Sequence, residues 1–115
     1  MIHGQKTKQL GREKNSRNAL LKTLAVSLIR DGKIKTTETK AKVLKPIVEK
    51  LITKAKIGDV AARRFISAKI GPVSSKVLVD TIAIKYKDRN GGCLRITKLN
   101  DRKNDGARIA QIEFV

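Results

Sequence analysis

Apolar residues in this chain first recur at helical spacing and then, towards the end, alternate with polar ones. Leu20, Leu21, Leu24 and Leu28 mark one face of a helix, and the pattern stops at Asp31-Gly32, where glycine supplies a left-handed stop. A first helix is expected over about 16–30, with Asn15 or Ser16 as its cap. The stretch "KIKTT" at 33–37 is short and β-branched and reads as a strand. Thr37 is placed to cap a second helix over 38–56, with Glu38 in its positively polarised first turn. On that helix Ala41, Leu44, Ile47, Val48, Leu51, Ile52 and Ala55 fill one arc of about 140° at 100° per residue. Pro46 lacks an N–H and should bend or shorten the helix, and Gly58 ends it.

Asp59 can cap a short helix across "VAARRFISAK". Gly71-Pro72 separates that from a fourth helix over 73–86, with Val73, Val77 and Ile82 on its apolar face. "DRNGG" breaks the chain. "CLRITKL" at 93–99 and "ARIAQIEFV" at 107–115 then alternate, and "NDRKNDG" between them completes a hairpin signature with a loop long enough to reach a partner. The order α-β-α-α-α-β-β implies an α+β fold of two layers, a small mixed sheet covered on one face by helices one and two. Residues 1–14 have no apolar period and read as a basic N-terminal arm ahead of a single globular domain at 15–115.

Charge changes the picture. With 27 basic against 10 acidic residues the net charge is +17, which implies strong self-repulsion and a polyanionic counterpart. Lys42, Lys45 and Lys56 lie beyond one edge of the apolar arc of helix two, Lys50 and Lys54 beyond the other, and Lys40 near its first turn. Glu49 is the one acid expected to partner them, so intrahelical pairs leave most of that surface unneutralised. No run of 18 apolar residues could span a bilayer, and the polar start "MIHGQKTKQLGREKNSRN" lacks the apolar stretch of a secretory signal. A cytoplasmic protein of bacterial type is expected, with no membrane partner. Cys93 stands alone and reads as a packing residue.

Candidate chemistry is sparse. His3 is the only histidine and has no second His or Cys beside it, so a metal site lacks ligands. Asp101 and Asp105 sit among Arg102 and Lys103 and read as ion-paired turn formers rather than catalytic acids. There is no Gly-rich phosphate loop and no Ser/His/Asp set. No enzyme, cofactor or small-molecule substrate is expected. The three aromatic residues, Phe65, Tyr86 and Phe114, form no basic-aromatic platform for reading single strands, which leaves recognition of a folded RNA by phosphate, sugar and shape.

At "IKTTETKAK", followed six residues later by "EKLITKAK", the chain resembles the bacterial-type large-subunit ribosomal protein seventeen family. The motif residues are Ile34, Thr36, Thr37, Lys40, Ala41, Lys42, Glu49, Leu51, Ile52, Thr53, Ala55 and Lys56. The likeness continues through "LGR", "SRNALLKTLAVSLI", "RNGG" and "ARIAQIEFV", and departs from the family pattern at Ile2, Cys93 and Asn104. It implies a structural protein of the large ribosomal subunit, bound to large-subunit rRNA near the rim of the polypeptide exit tunnel and beside other ribosomal proteins. RNA-binding candidates are then His3, Lys6, Lys8, Arg12 and Lys14 in the arm, and Arg17, Asn18 and Lys22 in helix one. Lys35, Thr36, Thr37, Lys40, Lys42 and Lys45 follow from the first strand into helix two, and Arg95, Lys98, Arg102 and Lys103 belong to the hairpin. The competing readings are a DNA-compacting or other non-ribosomal nucleic-acid-binding protein, which should present a symmetric dimer or an intercalating wedge, and an RNA-processing enzyme, which should carry an acid or histidine cluster.

Overall fold

The computed structural model describes residues 14–115, and the expectations for residues 1–13 lie outside it. The elements are α1 (Lys14–Asp31), β1 (Lys33–Thr37), α2 (Glu38–Ile57), α3 (Val60–Ile70), α4, β2 (Leu94–Lys98) and β3 (Ile109–Phe114). α4 joins an α-helical segment, Pro72–Val77, to a π-helical turn, Leu78–Ile82, and a last turn, Ala83–Lys85. The α+β class and the element order agree with the sequence patterning.

The helix boundaries follow from local chemistry. α1 already includes Lys14, so Asn15 and Ser16 lie within the helix rather than capping it. Gly32, at φ 81°, ends that helix and donates its N–H to the Leu28 carbonyl at 2.8 Å. The Thr37 hydroxyl accepts the Lys40 N–H at 3.4 Å, and the Asp59 carboxylate accepts the Ala62 N–H at 2.7 Å, capping α2 and α3. Gly58, at φ 71°, provides the left-handed residue between them. α2 continues unbroken past Pro46, whose ring is exposed, so the carbonyl left without a helical donor lies on the solvent side.

The sheet order is β1-β3-β2, and both pairings are antiparallel, so the sheet is not mixed. The last strand inserts between the other two and runs against both. Ile112 pairs with Ile34 on one side and Ile96 on the other and is fully buried. Ala110, Phe114, Leu94 and Thr36 share its inward face by the two-residue period of a strand. α2 packs against all three strands and also meets α1, α3 and α4, which makes it the centre of the molecule. Ala41, Leu44, Val48, Leu51, Ile52 and Ala55 are buried there as expected, whereas Ile47 is 36% exposed.

α4 faces the core differently from its apolar pattern. Val73 is 77% exposed and Val77 37%, while Ser74, Ser75, Leu78, Val79, Ala83 and Tyr86 point inwards. The two serines let α4 approach α3, and the Ser75 hydroxyl donates to the Arg63 carbonyl at 3.4 Å. The π turn adds a residue to the local period and rotates everything after it. Tyr86 then stacks on Phe114, ring centroids 6.2 Å apart, and its hydroxyl donates to the Val115 carbonyl. Buried Cys93 is a packing residue whose carbonyl accepts the Val115 N–H at 2.9 Å.

The facing of α2 yields a direct test. Leu44→Ala should lose about 2–5 kcal/mol in urea unfolding, because it leaves a cavity in a closed site. Ile47→Ala should lose less than about 1 kcal/mol, and equal losses would show the helix to be rotated.

Candidate nucleic-acid interface

The cations group in three places, and the first is the junction of β1 and α2. No loop separates the two elements, since Thr37 ends one and Glu38 begins the other. Thr37 pairs with Ile109, and the Glu38 N–H continues the ladder to the Arg108 carbonyl at 2.8 Å. Register therefore carries Arg108 to the helix start. Glu38 is buried, with the Lys42 ammonium 2.8 Å and the Lys98 ammonium 3.8 Å from its Oε1. A shallow cleft of about 510 Å³ opens beside it, lined by Thr37, Lys40, Lys42 and Arg108.

This corrects the expected pairing on α2. Lys42 is bound to Glu38, one turn earlier, while Glu49 makes no ion pair among the described residues and its Oε1 is buried without a hydrogen-bond partner. The hydrogen bond from Lys42 holds the Glu38 carboxyl below its ordinary range against its own desolvation, helped by the fields of Lys42, Lys98 and Arg108. One carboxylate thus gathers several cations without cancelling them, and Lys42 and Lys98 remain 55% and 74% exposed. Lys56 is also spent internally, donating to the Arg89 carbonyl and tying the chain after α4 to α2.

The second group lies on the open face of the sheet. Lys33, Glu113 and Arg95 form one cross-strand row, and Lys35, Gln111 and Thr97 the next. Arg95 pairs with Glu113 at 3.2 Å, and Lys33 and Lys35 are exposed. The row chemistry is polar and flat, and no aromatic ring belongs to it. At the end of this hairpin Arg102 grips Asp105 through two hydrogen bonds of 2.9 and 2.8 Å. That grip, with the Ala107 N–H, holds the Asp105 carboxyl below its ordinary range and raises the Arg102 guanidinium. The loop closes on itself through Arg102 and Ala107, leaving Lys103 exposed at its tip.

The third group rims a groove of about 580 Å³ between α1, α2 and α3. Asn18 and Lys22 come from α1, Lys50 from α2 and Lys69 from α3, above Leu21, Ile47 and Phe65. Arg17 and Lys45 are half-buried, and Thr36 faces the helix layer opposite Ala110 rather than the open side of the sheet. His3, Lys6, Lys8 and Arg12 lie outside the described residues, as does the side chain of Lys14. Reasoning from the sequence missed Arg108, Lys33 and Lys69. Arg108 is a polar position in an alternating run, and only the β1–β3 register reveals that it stands beside Glu38.

A cation-rich α+β protein built on this pattern matches a known class. The model of the family described as "Ribosomal protein L17" matches residues 20–115, and the chain belongs to that family. It is 47% identical to the large ribosomal subunit protein bL17 of Campylobacter jejuni (strain 81-176), across 100% of this chain and 99% of that protein. The large ribosomal subunit proteins bL17 of Mesorhizobium japonicum and Akkermansia muciniphila are each 49% identical over 100% of this chain, covering 81% and 85% of their own lengths. Among the described residues no group of three or more His, Cys, Asp or Glu side chains could hold a metal, and no helix is long and apolar enough to cross a membrane.

The Glu38 cluster predicts a pH signature. A carboxyl whose folded value is depressed adds stability above its unfolded value, and that contribution disappears as pH falls through the folded one. Glu38→Gln should therefore melt lower than the parent at pH 7. The gap should close as the pH drops below the ordinary carboxyl value of 4.5. A gap that persists unchanged at pH 2 would place its origin outside the Lys42 and Lys98 contacts.

Proposed function

We propose that this protein is a structural constituent of the large ribosomal subunit and binds large-subunit rRNA through its cationic surfaces. The observation carrying this reading is the surplus of unpaired cations on a chain of the ribosomal protein L17 family. Lys33, Lys35, Lys40, Lys45, Lys50, Lys54, Lys69 and Arg108 take part in none of the ion pairs among the described residues. The names of its relatives support the assignment to the large subunit.

Phosphates of the rRNA backbone meet the cleft beside Glu38 and the open sheet face. Lys35, Lys40, Lys42, Lys98 and Arg108 supply the counter-charge there, with the Thr37 hydroxyl at its edge. The basic segment ahead of α1, with His3, Lys6, Lys8 and Arg12, adds contacts to those of the single domain, and Lys14, expected in that segment, belongs to α1. The position is at the rim of the polypeptide exit tunnel, beside neighbouring ribosomal proteins, in the cytoplasm. The role is structural, and no step of catalysis is assigned to the chain.

Binding of the purified protein to a large-rRNA fragment should fall by about 10³–10⁵ between 50 and 200 mM salt if roughly 6–10 phosphates are contacted. Lys40→Ala and Arg108→Ala should each reduce the salt slope by about one while leaving the melting temperature nearly unchanged. A flat salt titration would refute phosphate binding by these surfaces, and equal binding to duplex DNA would favour a non-ribosomal nucleic-acid-binding protein. Deletion of residues 1–14 should lower the yield of the protein in purified large subunits. Unchanged yield would remove the arm from the interface.

A further inference from the structure

The groove between α1, α2 and α3 differs from the other cationic regions in having an apolar floor. Leu21, Ile47 and Phe65 line it, and its polar lining groups are Asn18, Lys22, Lys50 and Lys69, with no acid among them. Phe65 is 44% exposed, while Tyr86 is buried and stacked with Phe114. Among the described residues, Phe65 is thus the one exposed Phe or Tyr side chain. The Lys54 and Lys69 ammonium groups lie 5.0 and 5.6 Å from its ring centroid. An open aromatic ring inside a lysine rim is a stacking surface surrounded by phosphate contacts.

The size of the groove decides between occupants. Its wall on α1 runs from Asn18 to Ala25, about 10 Å at 1.5 Å rise per residue. That is too short to seat an amphipathic helix along its length and suits one flat group. A base provides an apolar face for the floor and brings anionic phosphates to the rim, so both parts of the lining are matched by one nucleotide. An acidic peptide would match the rim but would need a bulky apolar anchor and a carboxylate within the same 10 Å span.

We infer that this groove receives one unpaired nucleobase of RNA, stacked against Phe65 and Ile47, with its flanking phosphates held by Lys22, Lys50 and Lys69. This rests on the reading of the protein as an rRNA binder and assigns it a second mode of contact. The groove takes any base by its face, because the lining provides little hydrogen-bonding pattern beyond the Asn18 amide. Lys54 and Lys69 then give up their ring contacts to the base, and Lys69 takes a phosphate instead.

Methyl resonances of the full-length protein can test this at low salt, with an all-adenosine RNA tetranucleotide and its abasic counterpart of equal charge. Stacked bases should move the methyl signals of Ile47 and Ala68 upfield through their ring currents, and the abasic strand should not. Phe65→Ala should weaken adenosine-strand binding about 5-fold or more and leave abasic binding unchanged. Phe65 is half exposed, so this variant should keep the parent's methyl spectrum elsewhere, and Lys69→Ala should weaken both strands. Equal binding of the two strands without methyl shifts would overturn the inference and leave the rRNA reading standing. Failure of both strands to bind would count against the rRNA reading itself. An acidic leucine-containing peptide that moves the same methyls at lower concentration would overturn the nucleobase assignment in favour of a protein partner.

Discussion

Everything in this fold depends on α2 burying one face against two layers at once. Its stripe from Ala41 to Ala55 closes the sheet on one side and meets α3 and α4 on the other. The wider remaining arc of the helix is left for polar residues, and lysines predominate in it. The burial is what makes the arrangement tolerable. A helix with so many like charges would be weakened by repulsion between its own turns, and packing of the apolar stripe offsets this where intrahelical ion pairs do not. The same burial fixes where each lysine stands, so α2 acts as a rigid frame for charge.

The few acids are placed to organise cations more than to neutralise them. Glu38 holds Lys42 and Lys98, Glu113 holds Arg95, and Asp105 folds Arg102 into the hairpin loop. Each keeps a flexible side chain near one position while leaving much of it in water. Exposed pairs of this kind add little stability by themselves. Their larger effect is to reduce the conformational freedom that each cation would have to lose in the rRNA contacts proposed for it. Arg63 and Asp80, by contrast, pair between α3 and α4 and serve the packing of those helices.

Much of the fold was legible because local rules and burial agree. Thr37, Gly58 and Asp59 occupy cap and stop positions with little tolerance for other residues, and the boundaries of β1, α2 and α3 follow from them. α4 was misread where tertiary packing overrides periodicity. Close approach to α3 selects Ser74 and Ser75 for the inside, which turns Val73 and Val77 outwards, and the π turn at Leu78–Ile82 breaks the 3.6-residue count for the residues that follow. Strand direction was also hidden, because alternation in "KIKTT" says which face is buried and nothing about which neighbour it pairs with. The interface was partly legible for a related reason. Single cations can be read from a sequence, but the meeting of Arg108 with the α2 start and of Lys69 with Phe65 depends on register and helix packing.

The position of β3 at the centre of the sheet also governs the order in which the molecule can form. β3 follows every other element along the chain, yet both β1 and β2 pair only with it. During synthesis β1 is therefore an unpaired strand while more than two-thirds of the chain is still being made. The helices can dock on one another before the sheet exists, but Ile34 and Ile96 stay uncovered until Ile112 arrives between them. Pairing across so long a separation in sequence is slow compared with helix formation. In that interval the net charge of +17 sets a mutual repulsion between copies of the chain that opposes edge-to-edge pairing of their open strands.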